Sequence, residues 1–444
     1  MNARELVEKE FLSRFFQEDR KYTGVELEFP LLSLDGGSVS EEVIRGLIGY
    51  LFENGFKTDG TDIHGNSVFL INEDGDSLSF DNSYNNFEFA MAKDENLFSV
   101  AIRFYKLYQL VQNFLTERGH TLCGLGTNPH HHKAETYPVD YPIYCTLREY
   151  LSEFSGGYFH RYTDFPAWLS SVQTHLDVDA ATLPRALTLF AAMDFVRGLL
   201  FSNSLPFKDS PTHEDALCYR DYLWEHSGFG YLADNTGPVC GQFNSLDDII
   251  DMICKKSMFL SYRNDQYKII TPTRLDTYFE VEGVPSDIGG YLSFKNVEIT
   301  RRGTLEIRSD CAQPVGAAFA PPAFNLGIFH GLSEAEALMQ DFFSHLPAEI
   351  ADSPSRNKIL RRMVINGEPL PVREETVKAL LMKLVTLATH KLEERGLGEE
   401  RLLAPLFDRA QHLSCPAKFM KERLAKGESL KQVMADFANP EYVI

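Results

Sequence analysis

The 444-residue sequence has no long apolar run, no Cys-x-x-Cys pair and fewer basic than acidic residues. Without about 18 consecutive apolar residues, a membrane-spanning helix is not expected. The 43 basic and 63 acidic residues leave a net charge of −20, which argues against nonspecific binding to nucleic acid or to an anionic membrane. Seven scattered cysteines argue against a zinc cluster and predict reduced thiols in a cytoplasmic protein, with a single regulatory disulfide left open.

The common short motifs of nucleotide and hydrolase sites are also missing. The sequence contains no G-x-x-x-x-G-K-[ST] phosphate loop, no G-x-G-x-x-G after a strand, no G-x-S-x-G and no H-E-x-x-H. A nucleotide could therefore not be held by a helix-terminus phosphate loop. It would have to be held by cations bound to a sheet.

Two carboxylates interrupt an otherwise apolar strand pattern at 23–29. A strand has a side-chain period of two, so Glu26 and Glu28 lie on one face, roughly 7 Å apart, opposite the apolar residues. Like charges this close destabilise a sheet unless a positive group neutralises them. Mg²⁺ prefers such oxygen ligands, so the pattern indicates a cation site, although a merely solvated strand face stays open.

The same alternation of apolar and polar residues recurs in three further segments. Their polar residues are Glu88 in 86–91, Gln173, His175 and Asp177 in 172–178, and Glu306, Arg308 and Asp310 in 303–310. If the four segments share one sheet, its polar face is dense in carboxylate, amide, imidazole and guanidinium groups. Together they favour a metal–phosphate site over four ordinary half-exposed strands.

The chain is expected to form a catalytic domain over 1–330 and a purely helical region over 331–444, packed on the core. The patterns predict a helix over 2–19, a long amphipathic helix over 95–117 and a buried helix over 183–204.

Two further segments bear on the site. The segment 214–226 looks helical and carries Arg220 and Trp224. The three histidines at 130–132 are interpreted as a solvated or substrate-facing loop, because adjacent residues rarely all bind one metal ion.

Taken in order, six motifs resemble one family of enzymes. The sequence resembles the glutamate–cysteine ligase type 2 branch of the carboxylate–amine ligases, which is related in fold to glutamine synthetase and the guanidino kinases. The similarity covers roughly 20–315. The motifs are Gly-Val-Glu-Leu-Glu-Phe at 24–29, Asn-Phe-Glu-Phe at 86–89, Gly-Leu-Gly-Thr-Asn-Pro at 124–129, Ser-Val-Gln-Thr-His-Leu-Asp-Val at 171–178, Tyr-Arg-Asp-Tyr-Leu-Trp at 219–224 and Arg-Arg-Gly-Thr-Leu-Glu-Ile-Arg at 301–308.

The resemblance implies an α+β fold with an antiparallel, funnel-shaped sheet, whose concave face binds Mg-ATP through two or three Mg²⁺ ions. It assigns the cation ligands and the nucleotide contact Gln173. The implied ligands are Glu26, Glu28, Glu88, His175 and Glu306.

The resemblance also implies the residues that contact the reacting groups. Arg308 would contact the γ-phosphate as a catalytic and nucleotide-binding residue. Arg220 would bind a substrate carboxylate or the acyl phosphate, while Trp224 and Glu88 shape the substrate pocket.

The implied reaction is an ADP-forming ligation, as in glutathione biosynthesis. The γ-carboxylate of glutamate, or a similar acid, would be phosphorylated by ATP to an acyl phosphate, and the amine of cysteine or another amine would attack it. The expected partners are small molecules only, and the protein is expected to be a monomer or homodimer.

Two departures bear on the substrates. Where many members carry Gly-Gly-Gln, residues 80–86 read Phe-Asp-Asn-Ser-Tyr-Asn-Asn, and Ser-Asp-Cys-Ala-Gln-Pro after Arg308 is also a variant form. Three alternatives stay open: a ligase of the same fold that uses a different acid or amine in natural-product or peptide tailoring, a guanidino kinase, and a non-catalytic regulatory or binding protein on this scaffold.

Overall fold

A computed structural model of the chain describes residues 2–16, 22–130, 137–206 and 215–444. Two sequence-based predictions extend beyond these residues. Two of the three consecutive histidines, at 131 and 132, lie outside the described residues, and so does the end of the helix predicted over 2–19. Its described part is an α-helix only over Ala3–Val7 and continues as a π-helix over Glu8–Leu12 and a 3₁₀-helix over Ser13–Phe16.

The strands of the described residues form one large sheet and two small ones. In chain order they are β1 (Thr23–Ser33), β2 (Lys57–Thr61), β3 (Ser67–Ile71), β4 (Ser77–Phe80), β5 (Asn86–Asp94), β6 (His120–Leu122), β7 (Ser171–Asp177), β8 (Thr236–Gly237), β9 (Ser257–Arg263), β10 (Gln266–Arg274), β11 (Phe294–Lys295), β12 (Val297–Ile299) and β13 (Thr304–Cys311).

The large sheet has nine strands within the described part of the chain. Their order is β12-β13-β7-β1-β5-β4-β3-β2, with β6 also paired to β1, and every pairing is antiparallel. The four strands that carry the predicted polar face are therefore neighbours, in the order β5, β1, β7 and β13. The large antiparallel sheet confirms the predicted α+β class.

Helices cover the apolar face of this sheet. They are α1 (Ala3–Val7), α2 (Glu41–Glu53), α3 (Leu97–Thr116), α4 (Pro142–Glu153), α5 (Leu183–Ala192), α6 (Asp194–Phe201), α7 (Tyr219–Glu225), α8 (Leu246–Lys255), α9 (Leu275–Val281), α10 (Ala320–His330), α11 (Leu332–Ser344), α12 (Ala348–Ala351), α13 (Arg356–Ile365), α14 (Glu374–Arg395), α15 (Ala404–His412), α16 (Pro416–Ala425) and α17 (Leu430–Phe437).

The apolar face of the sheet is buried by close packing of aromatic rings. Phe29 on β1 packs against Phe89 on β5, with ring centroids 6.0 Å apart, and against Phe104 on α3, at 5.9 Å. All three rings are fully buried. Because this face is covered by helices, the opposite face of β1 and β5, with its carboxylates, remains for a site.

The helix predicted over 183–204 is two helices, α5 and α6, with Met193 between them. Its apolar residues nearly encircle it, so the pattern gave no sign of the break. The break places the carboxylate of Asp194 in the first turn of a new helix, where it is favoured by the helix dipole and bonds to Arg197 at 2.8 Å.

From Leu332 onward, the regular secondary structure of the described segment 215–444 is helical. α14 packs against α10, which in turn lies on β7. Among the described helices, none is both long and apolar enough to cross a membrane.

Candidate functional site

The predicted site residues lie opposite one another on neighbouring strands. Glu28 on β1 is the direct cross-strand partner of Glu88 on β5. Glu26 on β1 is paired with Gln173 on β7, and His175 on β7 is paired with Glu306 on β13. Since cross-strand partners point to the same face, the four strands build one continuous polar row.

Glu26, His175 and Glu306 form a compact cluster. His175 Nε2 lies 3.2 Å from Glu26 Oε1 and 3.7 Å from Glu306 Oε1, and one ligand atom from each residue lies within 4.8 Å of the others. Thr304 Oγ1 lies 3.1 Å from Nδ1 on the other side of the imidazole and orients it. Two carboxylates and an imidazole in this arrangement could hold a divalent cation.

Positive groups stand beside this cluster and set its ionisation. Burial opposes ionisation of Glu26, yet His175 and Arg302 outweigh burial and hold its pKa below the usual range. Burial likewise opposes protonation of His175, but Glu306 and Glu26 outweigh burial and raise the pKa of the imidazole. A protonated His175 would supply the positive charge that a bound cation would supply in its place.

A second acidic cluster lies next along the row. Glu28 accepts hydrogen bonds from the Ser171 backbone N–H at 2.9 Å and from Gln173 Nε2 at 2.9 Å, and Glu88 accepts one from Ser79 Oγ at 3.0 Å. Burial and then Asp81 raise the pKa of Glu28 to about 7.

Glu88 also holds its proton more strongly than a carboxyl group in water. Burial, followed by repulsion from Glu26, Asp81 and Glu28, raises its pKa well above the usual range. The cluster thus holds more carboxylates than its surroundings can keep ionised, which is the condition in which a cation binds by displacing protons.

Asp81 belongs to this cluster, although sequence reasoning missed it. It directly follows β4, and burial raises the pKa of its carboxyl. No alternating pattern marks a residue in a turn, so the signal was weak. It consisted of an acidic residue seven positions before Glu88, in the stretch where the sequence departs from the family pattern.

A cavity of about 300 Å³ opens over the polar row. Its charged and amide-bearing side includes Glu26, Glu28, Asp81, Asn82, Glu88, Gln173, Arg220 and Arg308. Its apolar side is formed by Ile143, Leu147, Leu169, Trp224, Leu292 and Phe294. The structure therefore brings seven of the nine predicted site residues to one cavity, while His175 and Glu306 contact the lining residues Glu26 and Arg308.

The two predicted arginines differ in their partners. Arg308 Nη1 donates to Glu306 Oε1 at 2.8 Å, and although burial opposes its charge, Glu306 and Glu26 outweigh burial and raise its pKa further. The backbone N–H of Arg220 donates to Ser204 Oγ at 3.1 Å, whereas its buried Nε has no hydrogen-bond partner among the described residues. Arg220 is therefore available to an anionic ligand.

Two more buried polar atoms in the cavity region lack partners within the described part of the chain. Gln173 donates to Glu28 through Nε2, and its Oε1 is left without a hydrogen bond. Trp224 stacks on Phe294, with ring centroids 4.7 Å apart, and its Nε1 is also left without one. Groups of this kind fit a site that is completed by a cation and a polar ligand.

The predicted placement of Asp310 on the polar face is wrong. The pairing of β13 with β7 shifts between Ile307 and Asp310, where β13 has one extra residue. This bulge turns Asp310 to the opposite face, where Asn325 on α10 donates to it at 3.1 Å. Asp177, at the end of β7, accepts a bond from the Tyr22 backbone N–H at 3.3 Å.

The overall fold is similar to that of a solved glutamate–cysteine ligase, which agrees with the glutamine-synthetase-like fold that the motifs indicated. A solved structure of glutamate–cysteine ligase from Francisella tularensis in complex with AMP matches with a TM-score of 0.52. It is 13% identical and covers 95% of this chain and 88% of its own. A bifunctional glutathione synthetase from Pasteurella multocida matches with a TM-score of 0.49 at 12% identity, covering 94% of this chain and 50% of its own.

No protein-family model matches the sequence, and a search of curated proteins gives no match. At these identities the structural similarity shows the fold alone.

Proposed function

We propose that the protein is an ATP- and Mg²⁺-dependent carboxylate–amine ligase that forms ADP. The observation that carries this proposal is the polar row across β5, β1, β7 and β13 beside a cavity that also contains two arginines. A carboxylate reacts poorly with an amine, so it must first be activated. Transfer of a phosphoryl group to the carboxylate needs positive charge and positioning more than covalent chemistry.

The carboxylates fit Mg²⁺ because it is a hard cation that takes oxygen ligands, and a bound cation would relieve the charge crowding of Glu28 and Glu88. The imidazole of His175 would complete the ligand set beside Glu26 and Glu306. Glu26, His175 and Glu306 would hold one ion, and Glu28 and Glu88 would hold another, with a third left open. When bound, these ions neutralise phosphate charge.

The remaining site residues act on the substrates themselves. Arg308 presents a planar fork that contacts two oxygens of the γ-phosphate, held in place by its bond to Glu306. Gln173 contacts the nucleotide through its free Oε1. Arg220 binds the substrate carboxylate or the acyl phosphate, and Trp224 excludes water from the same cavity.

Glutamate and cysteine are the substrates we propose first, giving a γ-glutamyl amide as in glutathione biosynthesis. The similarity in fold to a glutamate–cysteine ligase supports this choice, and so does the position of Arg220 in the cavity, where it can bind a carboxylate. We further propose a funnel-shaped sheet, a catalytic domain over 1–330 with the helical region 331–444 packed on it, and a cytoplasmic location that fits the free cysteines.

A second candidate keeps the fold and the chemistry but changes the acid or the amine. The observation that favours it is the apolar side of the cavity, with Ile143, Leu147 and Phe294, which suits a substrate with an apolar group. A guanidino kinase and a non-catalytic regulatory protein are the remaining alternatives.

The test is ADP release with Mg-ATP, glutamate and hydroxylamine, measured together with the mass of the hydroxamate. A panel of amines, including cysteine, then replaces hydroxylamine. We expect glutamate-dependent ADP and a hydroxamate, and a γ-linked dipeptide with cysteine. A hydroxamate without a dipeptide would show that glutamate is activated and that the second substrate is an amine other than cysteine.

Two variants provide the matched control for this assay. Glu306→Gln should abolish ADP release, whereas Asp310→Asn should keep it, because Asp310 faces away from the cavity. ADP release that depends on a guanidine would support the kinase. Binding of Mg-ATP without turnover on any acid and amine would support the regulatory alternative.

A further inference from the structure

The two arginines of the proposed site lie on different elements. Arg220 is on α7 and Arg308 is on β13, and their guanidinium groups must keep one relative position if both act on the same acyl phosphate. A third arginine forms hydrogen bonds to both of these elements. It is Arg361 on α13, in the helical region that the sequence analysis interpreted only as packing.

Arg361 is almost fully buried, and each of its three guanidinium nitrogens donates a hydrogen bond. Nε donates to Asp221 Oδ2 at 2.8 Å, which holds the residue next to Arg220 on α7. Nη2 donates to the backbone oxygen of Ser309 at 3.2 Å, which holds the residue next to Arg308. A single side chain therefore contacts the neighbours of both site arginines.

The contact with Ser309 lies in the bulge of β13. Between Ile307 and Asp310 the strand carries an extra residue, which interrupts its regular pairing with β7. Because Arg361 donates to the Ser309 oxygen there, it fixes the part of the chain that directs Arg308 into the cavity.

A second route reaches the same strand. Arg361 Nη1 donates to the backbone oxygen of Asp194 at 2.8 Å, and the Asp194 carboxylate accepts a bond from Asn296 Nδ2 at 2.6 Å. The backbone oxygen of Asn296 accepts the N–H of Arg308 at 2.9 Å. Both routes connect α13 to the backbone around Arg308.

The start of α7 is held by α13 as well. The backbone oxygen of Ile365, at the end of α13, accepts the N–H of Leu217 at 2.7 Å, just before Arg220. Gly198 on α6 leaves the room for this arrangement, since a Cβ there would lie 3.0 Å from Arg361 Nη1.

We propose that Arg361 is a positioning residue for the ligase reaction, which sets the position of Arg220 relative to Arg308. The inference rests on the proposed function of the site. A buried ion pair is weak grounds for a role in stability, because desolvation offsets most of its Coulomb energy. A planar fork with several fixed donors is instead suited to holding segments in one geometry, and a lysine cannot reproduce it.

The experiment compares Arg361→Lys with the control Arg362→Lys on the same helix. Arg362 is exposed and contacts Glu225 at the far end of α7, with no bond to β13. The two variants are compared by circular dichroism, by affinity for Mg-ADP, which lacks the γ-phosphate that Arg308 contacts, and by kcat of hydroxamate formation.

We expect Arg361→Lys to lower kcat by about 100-fold, the effect of displacing catalytic groups by about 1 Å, with Mg-ADP affinity and fold preserved. Arg362→Lys should stay within about twofold of the wild type. Unchanged kcat in Arg361→Lys, or a parallel loss of kcat and Mg-ADP affinity, would overturn the proposal.

A milder variant covers the case in which Arg361→Lys does not fold. Asp221→Asn removes the charge that binds Arg361 on the α7 side and leaves the Ser309 contact intact. We expect an intermediate loss of kcat in Asp221→Asn with Mg-ADP affinity preserved, and an unchanged kcat would contradict the positioning role. Where Arg361→Lys folds, the double variant should show a loss smaller than the product of the two single effects. Multiplicative effects there would contradict a shared positioning role.

Hydrogen exchange separates failure of this inference from failure of the proposed function. If the wild-type protein turns over no acid, the proposed function fails. Backbone amides of 217–221 and 308–311 then decide the positioning role. Faster exchange in both segments in Arg361→Lys, but not in Arg362→Lys, would support the link, and unchanged exchange would overturn it.

Discussion

Asp310→Asn tests the unexpected orientation of Asp310 and the electrostatics beneath the sheet. Asp310 is 1% exposed, and burial, partly offset by Arg197, raises the pKa of its carboxyl to about 6. An aspartate in an unfolded chain has a pKa of about 4. Between about pH 4 and about pH 6 the folded protein therefore keeps a proton on Asp310 that the unfolded chain has lost.

This difference in bound protons determines how the stability of the folded protein changes with pH. Where the folded state binds more protons, stability falls as pH rises, so ionisation of Asp310 destabilises the protein above about pH 6. Because one pKa unit corresponds to about 1.4 kcal/mol, a rise from about 4 to about 6 corresponds to about 3 kcal/mol. Asparagine has nearly the same shape and carries no charge, so the variant lacks this penalty.

The substitution leaves the neighbouring arginine with partners. Arg197 donates to Asp194 at 2.8 Å and to the Phe190 backbone oxygen at 2.8 Å, independently of Asp310. Loss of the carboxylate therefore does not leave a buried charge without compensation.

The assay is urea unfolding of wild type and Asp310→Asn at low protein concentration, between about pH 4 and about pH 7.5. The variant should be more stable by about 3 kcal/mol at the upper pH, and the difference should approach zero at the lower pH. A difference independent of pH, or a variant less stable at about pH 7.5, would refute this reasoning.

Three further predictions concern the site and its support. Arg308→Lys should keep the fold and lose most of the turnover, because an ammonium cannot contact two phosphate oxygens in a plane. A kcat near that of the wild type would remove Arg308 from the mechanism. Glu88→Gln should raise the melting temperature measured in EDTA above neutral pH, because the raised pKa of Glu88 makes its ionisation in the folded protein unfavourable. The variant should also be stabilised less by Mg²⁺. A lower melting temperature in EDTA would contradict the charge crowding. Gly124→Ala should destabilise the protein by about 1–3 kcal/mol in urea unfolding, since its Cβ would overlap backbone atoms of two neighbouring segments. The control Gly49→Ala places its Cβ in open space and should not destabilise the protein. Equal effects of the two substitutions would contradict this packing.

The sequence predicts the polar face of the sheet well because that face depends on a local pattern. A strand has a period of two, so Val25 and Leu27 in the core fix Glu26 and Glu28 on the other side. The alternation does not specify which strands pair. The resemblance implied a single antiparallel sheet but not its strand order, and only the structure places β5, β1, β7 and β13 side by side.

The parts that the sequence did not predict depend on contacts between distant segments. The bulge before Asp310 breaks the period of two without any glycine or proline to mark it. Asp81 lies in a turn, where no period applies. Arg361 looks like one more basic residue on an amphipathic helix, and only the packing of α13 beneath α7 and β13 shows what it binds.

The most direct test of the central claim is transfer of ¹⁸O from a labelled substrate carboxylate to phosphate. The acid that supports ADP release is labelled in its reacting carboxylate, and the phosphate and nucleotide products are analysed by mass spectrometry. An acyl phosphate formed by phosphoryl transfer at the polar row predicts one ¹⁸O in each phosphate released and none in the nucleotide. Label in AMP, or unlabelled phosphate alongside amide product, would contradict the account.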